Sequence, residues 1–433
     1  METTERFDAP DAAVGTAPAA PGQARAGERG AARGPRLGFG PVANTLLGYT
    51  LVKGLQLTLY NLIFPLYAYS IGYDLAAIGR INAVGAVTVL LASMPLGMLA
   101  DRLGRGRLFL VSALITPLAM AGVALSRSLP VLLAFIIVQN AVSTVYWSVT
   151  SPLLVAAVPA ERRVRVFSIN SFLIWGVGAL GSAIGGYAAA LAGRALGVEP
   201  NATPALRVAL LVCAAITLVG ALPLWRIRNV EAPGAGGAGR AKLRLADLHL
   251  FGRLLLPDAL QAFGAGMIIG FLPLFFALRF GLEAGKLGWI FTLTGALGGA
   301  ASLLSPLVAR RLGDIRAIVA LMGSVAACIF LTALSPVLPG AIGAEASRSA
   351  LRGTIDPIYT PFAMTRVAPH WRGTLGGLYN VTYATGFALG PLLSGWLQVH
   401  YGFTPAFAIG AVAYLCAATT MWLFFSRSVA HPE

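Results

Sequence analysis

Long apolar stretches dominate the chain and alternate with short polar segments. A helix needs about 20 apolar residues to cross the hydrocarbon core of a bilayer, and each stretch is about that long or longer. The pattern therefore predicts twelve membrane-spanning helices, called spans one to twelve. They run from Pro41 to Gly72, Leu75 to Ala100, Leu108 to Ser126, Leu129 to Val158, Val166 to Ala192, Ala205 to Trp225, Leu254 to Phe280, Leu287 to Ala309, Ala317 to Ser335, Val337 to Val367, Thr374 to His400 and Pro405 to Phe425.

The composition supports a protein that lives in a membrane. Of the 433 residues, 57% are hydrophobic and 11% are charged, whereas soluble domains carry about 25% charged residues. Too few charges are present to cover a water-soluble surface of this size. The three cysteines lie inside apolar runs without metal-ligand spacing, so we expect neither a metal nor a cofactor.

The basic residues predict the orientation of the helices. If the amino terminus is cytoplasmic, 23 of the 32 Lys and Arg residues lie in cytoplasmic segments and six lie outside. Positive residues prefer cytoplasmic loops, so both termini are expected inside, and the Ala- and Arg-rich composition suggests a bacterial cytoplasmic membrane. The net charge of +15 is spread between apolar runs rather than along one stripe, which argues against nucleic-acid binding.

One long polar break divides the spans into six plus six. It is Gly- and Pro-rich and then basic and amphipathic, so we predict a linker followed by a segment at the lipid headgroups. The expected organisation is a disordered cytoplasmic tail (residues 1–36), an amino-terminal six-helix bundle (37–226), a cytoplasmic linker (227–253), a carboxy-terminal six-helix bundle (254–427) and a short cytoplasmic tail (428–433).

The two predicted bundles resemble one another. Shifting the chain by about 209 positions overlays Gly79 on Gly288, and it overlays Gly186 on Gly395. Further landmarks follow in the same order: Pro65 with Pro273, Arg102-Leu-Gly104 with Arg311-Leu-Gly313, Pro152 with Pro361, Asn170 with Asn380 and Gly181 with Gly390. Such a series at nearly constant offset indicates two copies of one six-helix unit, which is an architecture found among transporters.

The loop between spans two and three carries a motif. It reads Gly97-Met-Leu-Ala-Asp101-Arg102-Leu-Gly104-Arg105-Gly-Arg107 and resembles the signature loop of the major facilitator superfamily (MFS). The resemblance covers Pro41 to Phe425. It implies an all-α polytopic membrane protein of 12 transmembrane helices in two pseudo-symmetric six-helix bundles, and a secondary transporter rather than an enzyme.

The same resemblance implies a conformational latch made by Gly97, Asp101, Arg102, Gly104 and Arg105. The glycine lets spans two and eleven approach closely. The Asp101 carboxylate can face a helix amino terminus, where negative charge is stabilised. The arginines can pair with carboxylates or lipid phosphates, so the loop is expected to hold the bundles shut on the cytoplasmic side in one state only.

Span ten carries the densest set of intramembrane charges. Glu345, Arg348, Arg352, Asp356 and Tyr359 follow one another at helical spacing and therefore share one face. Two interpretations are open: a cavity wall that binds a polar solute, with Asp356 as a proton acceptor, or a self-paired network that stiffens the helix or closes an outer gate.

Span one carries a second polar face, formed by Tyr49, Lys53, Gln56 and Tyr60. Two interpretations of Lys53 are open. Its side chain is directed into a cavity, where its charge would attract an anion or pair with Asp356, or it extends along the helix so that the charge reaches the lipid headgroups. The repeat places Gln261 of span seven opposite Lys53, with Asp258 one turn before it.

Amides and aromatic residues in other spans complete the expected lining, although each could also be an ordinary packing residue. The predicted solute-binding or coupling residues are Lys53, Gln56, Tyr60, Gln139, Asn140, Trp147, Gln261, Arg348, Arg352, Asp356, Tyr359, Tyr379, Asn380 and Tyr383.

The expected function is secondary active transport of a small organic solute by alternating access. A proton is the expected coupling ion, since intramembrane carboxylates are present and no ATP-binding sequence is found. We expect a monomer in a lipid bilayer that exports its solute. The rivals are uptake of a sugar or organic acid, a non-transporting membrane sensor and a lipid flippase.

Overall fold

The computed structural model describes residues 39–230, 245–368 and 371–426. Within these ranges the chain is helical apart from short turns. The α-helices are α1 (Pro41–Ser70), α2 (Leu75–Leu103), α3 (Arg105–Leu125), α4 (Leu129–Ala157), α5 (Arg163–Ser171), α6 (Leu180–Leu196), α7 (Thr203–Ala221), α8 (Leu245–Ile268), α9 (Leu272–Phe280), α10 (Ala284–Ala301), α11 (Ser305–Leu312), α12 (Asp314–Leu334), α13 (Leu338–Thr365), α14 (Arg372–Tyr401) and α15 (Phe403–Phe425).

Three of the twelve passes are interrupted helices. A π-helical turn (Phe172–Gly176) and a 3₁₀ turn (Val177–Ala179) join α5 to α6 in span five. Single 3₁₀ turns at Ile269–Phe271 and Ser302–Leu304 interrupt spans seven and eight. Span six ends in a 3₁₀ segment (Leu222–Ile227), and the other passes are single α-helices, so the described residues confirm the predicted all-α architecture.

Hydropathy separates two kinds of pass. Nine helices in the described part are long and apolar enough to cross a membrane by length and composition. The passes that fall outside this group are α1, α13 and α14, which include the polar faces predicted for spans one and ten and the predicted lining residues of span eleven. Charged and polar side chains inside such passes usually face the bundle or a water-filled cavity, which can solvate them.

The passes begin and end at two faces of the molecule. The face at which α1 begins carries the turns at Gly104, Arg162, Gly313 and Arg366, and is called the arginine-rich end. The face at which α1 finishes is called the opposite end. Gly104 and Gly313 have φ values of +89° and +75°, which glycine adopts without strain, and they occupy matching positions of the repeat.

At the opposite end, α2 of the amino-terminal half (α1–α7) packs directly on α14 of the carboxy-terminal half (α8–α15). Gly79 lies against the carbonyl of Pro391. A Cβ at Gly395 would lie 3.0 Å from the Cα of Ala76, which is closer than side chains pack. Glycine is needed at both positions because backbone approaches backbone.

A matching contact joins α6 to α10. Gly186 lies against the carbonyl of Ala284, and a Cβ there would lie 3.0 Å from the Cα of Gly288. The pair Gly186 and Ala284 corresponds under the 209-residue shift to Gly395 and Leu75, which also touch. The two contacts form one pseudo-symmetric glycine seam, so the repeat seen in the sequence is a repeat of packing.

Hydrogen bonds reinforce the seam at the opposite end. Thr292 of α10 donates its hydroxyl to the Ala179 carbonyl at 2.9 Å. The side chain of Asn201 donates to the Leu282 carbonyl at 3.1 Å and accepts from the Ala284 N–H at 2.8 Å. Both halves are thus joined by polar as well as close apolar contacts.

The halves part toward the arginine-rich end. One hydrophobic core joins both halves at the opposite end and continues through the carboxy-terminal half to the arginine-rich end, whereas a separate core fills the arginine-rich end of the amino-terminal half. Between α10 and the π-helical turn, a Cβ at Gly299 would still lie 3.2 Å from the Cα of Gly176. Beyond that contact, Phe172 is 61% exposed and Leu303 is 79% exposed. The structure is therefore closed at the opposite end and open at the arginine-rich end.

The seam makes a testable prediction. Gly79→Leu should separate α2 from α14 at a cost of about 1–3 kcal/mol, because the new side chain has no room beside Pro391. Separation of the two halves at the opposite end should also expose the distant contact between α6 and α10. We expect faster maleimide labelling of Ser182→Cys, a buried position beside Gly288, in a background lacking the native cysteines.

The matched control is Gly323→Leu on α12, where no described atom lies within 4 Å of the added Cβ. It should leave the labelling rate of Ser182→Cys unchanged. Equal rates for Gly79→Leu and Gly323→Leu would show that the seam does not hold the halves together.

Candidate functional site

The polar face of α1 meets α4 around a buried lysine. Lys53 is 4% exposed. Its Nζ donates to Gln56 Oε1 at 2.8 Å and to Ser143 Oγ at 3.3 Å, and lies 5.9 Å from the centre of the Tyr146 ring. The side chain is therefore held inside the bundle and does not snorkel.

Tyr60, Gln139 and Trp147 surround this lysine cluster. Tyr60 stacks on Phe64 with ring centres 5.0 Å apart and lies beside Gln139. One face of α4 carries Gln139, Ser143 and Trp147 at intervals of four residues. Trp147 stacks on Trp175 of the π-helical turn at 6.3 Å, and both rings are about half exposed.

Asn140 is the predicted lining residue of α4 that points elsewhere. Its side-chain amide donates to the Ile136 carbonyl at 2.9 Å. A Cβ on Gly85 of α2 would lie 3.1 Å from the same amide nitrogen. One residue along an α-helix rotates the side chain by about 100°, so Asn140 packs on α2 while Gln139 faces α1.

Two carboxylates share one arginine in the carboxy-terminal half. Arg352 pairs with Asp356 one turn along α13 at 2.7 Å. Asp258 of α8 lies within electrostatic range of both, and its Oδ2 accepts a hydrogen bond from the Thr382 hydroxyl at 2.8 Å. If all three groups are ionised, the cluster carries one negative charge in excess.

Tyrosines enclose this carboxylate cluster. Tyr359, Tyr379, Tyr383 and Tyr414 approach it from α13, α14 and α15. The Tyr359 hydroxyl donates to the Leu254 carbonyl at 2.5 Å, and its ring contacts that of Tyr379 edge-on at 5.9 Å. These contacts fix α13 against α8, so Tyr359 also has a packing role.

Glu345 and Arg348 form a separate ion pair nearer the opposite end. Arg348 donates two hydrogen bonds of 2.6 Å to the Glu345 carboxylate, and both side chains are buried. For this pair, the geometry corresponds to the interpretation of span ten in which its charged residues neutralise one another. Arg348 therefore presents its charge to Glu345 rather than to a cavity.

The other predicted residues lie on the carboxy-terminal half. Gln261 is buried, Asn380 is exposed, and Tyr383 is half exposed with its ring stacked on Phe387 at 4.5 Å. No hydrogen bond or ion pair that the structure describes joins the Lys53 cluster to the carboxylate cluster. In this conformation the two clusters lie on separate halves.

Sequence reasoning did not single out Ser143, and it noted Asp258 without including it among the site residues. Ser143 was detectable as the fourth residue after Gln139, on the same helical face. Asp258 was detectable as an acid one turn before Gln261. Trp175 owes its position to the π-helical turn, for which the sequence offers no comparable signal.

The predicted latch is only partly visible. The side chain of Asp101 lies outside the described residues. No described atom of α14 lies within 4 Å of a Cβ placed at Gly97, and the close approach of α2 to α14 is made in this conformation at Gly79 and Gly395. Arg105 is buried and Arg102 is exposed.

Comparison with known proteins agrees with this architecture. The sequence profile described as Major Facilitator Superfamily matches residues 46–388. A bacterial homolog of the human lysosomal transporter Spinster, in an inward-facing and occupied conformation, superposes with a TM-score of 0.74 at 16% identity, covering 89% of this chain and 96% of that one. No curated protein sequence matches the chain.

Two further transporters share the fold. The nucleoside transporter NupG has a TM-score of 0.70 at 15% identity, over 89% of this chain and 99% of its own. A D-xylose-proton symporter has a TM-score of 0.70 at 15% identity, over 89% and 97%. The chain is an integral membrane transporter, not an enzyme, and it belongs to the major facilitator superfamily.

Proposed function

We propose that the protein is a secondary active transporter that moves a small organic solute by alternating access. One observation carries the proposal: two pseudo-symmetric halves touch through a glycine seam at one end and part at the other. Rocking about the space between them would expose a central site to each side in turn. The halves correspond to residues 37–226 and 254–427, joined by the linker 227–253.

The arginine-rich end is proposed to face the cytoplasm of a bacterial cell, with both termini inside. Its loops hold most of the basic residues, as the positive-inside rule requires. The conformation described above is then open to the cytoplasm. The protein is proposed to act as a monomer, with residues 1–36 and 428–433 as cytoplasmic tails.

The proposed solute site lies between the Lys53 cluster and the carboxylate cluster. Trp147, Trp175 and Tyr383 supply half-exposed aromatic surface, and Gln56, Gln139 and Gln261 supply amides. The proposed coupling ion is a proton bound by the carboxylate cluster, since Asp258 and Asp356 share Arg352. Export is the favoured direction, by analogy with family members that carry the same loop.

Proteoliposomes test the proposal. The purified protein should accumulate at least one solute from a chemically varied panel when a pH gradient is imposed, and much less without it. Accumulation that ignores the gradient would remove proton coupling. Binding without any accumulation against a gradient would favour a sensor, and transbilayer movement of labelled lipid would favour a flippase.

The latch supplies a further prediction. Asp101→Asn should lower the transport rate without lowering expression, because the loop would no longer hold the halves shut at the arginine-rich end. Asp314→Asn is the matched control, since Asp314 follows Gly313 in the second copy of the loop. Transport at the normal rate in Asp101→Asn would refute the latch.

A further inference from the structure

The amino-terminal half holds a buried cation without a matching acid. Helices α1 to α7 contain a single acidic residue, Asp101, which lies two residues before the end of α2 at the arginine-rich end. Lys53 is the thirteenth residue of α1, which places it about 18 Å from that end at 1.5 Å per residue. The described partners of its ammonium group are an amide, a hydroxyl and a tyrosine ring.

An unpaired ammonium group in this position is unfavourable. Burying a charge without a counter-charge costs free energy, and ionisable residues inside a membrane usually face a partner or a polar cavity. The carboxylate cluster of the other half shows the usual arrangement, because Arg352 pairs with Asp356 there. The Lys53 cluster lacks one negative charge, which a bound anion would supply.

One face of α4 connects Lys53 to the open end of the molecule. Gln139, Ser143, Trp147 and Ser151 follow at intervals of four residues, and their exposure rises from buried Gln139 to exposed Ser151. Ser143 already contacts the lysine. A solute that follows this face from the arginine-rich end would reach the ammonium group.

Two partly exposed aromatic rings lie on that route. Trp147 and Trp175 stack with an interplanar angle of 23° and remain half exposed. Trp175 belongs to a π-helical turn, a feature frequently found at functional sites. Ser143 and Trp147 are four residues apart on α4, about 6 Å along the helix axis, so one small ligand can contact both side chains.

The mouth of the route is basic. A cavity of about 700 Å³ at the arginine-rich end is lined by Ser151 and Val155 of α4 together with Arg105 and Arg163. Guanidinium groups at an entrance raise the local concentration of anions and speed their association. Entrance and endpoint are therefore both positive, with aromatic surface between them.

We infer that the amino-terminal half binds an organic monoanion with a flat aromatic body, its carboxylate at Lys53 and Ser143 and its ring against Trp147 and Trp175. This inference rests on the proposed function and names the solute class for it. The single positive charge of the ammonium group balances the single negative charge of a carboxylate, whereas a dianion would keep one negative charge unbalanced.

Binding to the full chain in lipid nanodiscs tests the inference without transport. The probes are 4-nitrobenzoate, 4-nitrobenzamide and 4-nitrobenzylamine, which are matched in size, differ in charge and quench tryptophan fluorescence on contact. The wild-type protein should bind the anion most tightly. Lys53→Met should weaken anion binding at least about tenfold, since a hydrogen bond to a charged group contributes more than the 1.4 kcal/mol of one decade.

Two further variants separate charge from folding. Lys53→Arg keeps the positive charge and should keep the preference for the anion, and Lys286→Met removes an exposed lysine at the opposite end and should change nothing. Equal binding of the three probes to wild-type protein would overturn the inference. So would a Lys53→Met variant that loses the neutral amide as much as the anion.

The outcome is independent of the transport proposal. If the proteoliposomes accumulate a neutral or cationic solute while 4-nitrobenzoate fails to bind preferentially, the solute class is wrong and the transporter proposal stands. If 4-nitrobenzoate binds through Lys53 but no solute accumulates, the site is real and the transport proposal fails.

Discussion

Replacing Glu345 with glutamine should destabilise the folded protein by about 3–5 kcal/mol, because it leaves the Arg348 guanidinium buried without its carboxylate. Both side chains are buried, and two hydrogen bonds of 2.6 Å join them. The loss should appear as a lower free energy of unfolding in an equilibrium titration with sodium dodecyl sulfate in mixed micelles.

A double variant distinguishes the charge effect from lost packing. Glu345→Leu combined with Arg348→Met removes both charges and fills similar volume, so it should recover most of the stability. Glu283→Gln is the control, since Glu283 is exposed at the opposite end. A Glu345→Gln variant within about 1 kcal/mol of wild type, as exposed pairs behave, would contradict the assignment of a buried ion pair.

Asp258→Asn and Asp356→Asn should each abolish the dependence of transport on a pH gradient. The two carboxylates share Arg352, so the cluster carries one acid more than its arginine can neutralise. Either substitution leaves one acid paired with Arg352 and no carboxylate to accept a proton. The measurement is accumulation in proteoliposomes of the solute found in the panel, with and without the gradient.

Groups on every helix around Asp258 bear on this result. Arg352, Asp356 and Tyr359 approach from α13, Thr382, Tyr379 and Tyr383 from α14, and Tyr414 from α15. The control is Glu199→Gln in the loop before α7, which should remain coupled. Full gradient dependence in either aspartate variant would remove the carboxylate cluster as the proton site.

The sequence predicted the passes well and their edges less well. Hydropathy shows which part of a helix lies in lipid. The helix itself extends beyond the lipid wherever the backbone hydrogen bonds of the helix continue to form. The predicted seventh span begins at Leu254, whereas α8 begins at Leu245 and includes part of the basic segment assigned to the headgroups. The π-helical turn in span five was not predicted, because its surroundings include Gly54 and Gly299 from other passes.

Contacts within one helix were predictable from spacing, and contacts between helices were not. Intervals of three and four residues on span ten predicted that Glu345 and Arg348, and Arg352 and Asp356, could neutralise one another. The partners of Lys53 and Asp258 on other helices, Ser143 and Thr382, depend on how each helix is rotated. Rotation is set by packing of the whole bundle, for which the sequence alone offers only the repeat.

The most direct test of alternating access measures both ends of the molecule at once. Spin labels at Glu199 and Glu283 report the distance across the opposite end, and labels at Glu161 and Arg316 report the distance across the arginine-rich end. All four positions are exposed. Double electron–electron resonance in lipid nanodiscs should show the first distance lengthening and the second shortening when Gly79→Leu is introduced. Two distances that change in the same direction, or a change at one end only, would contradict rocking of the halves about a central site.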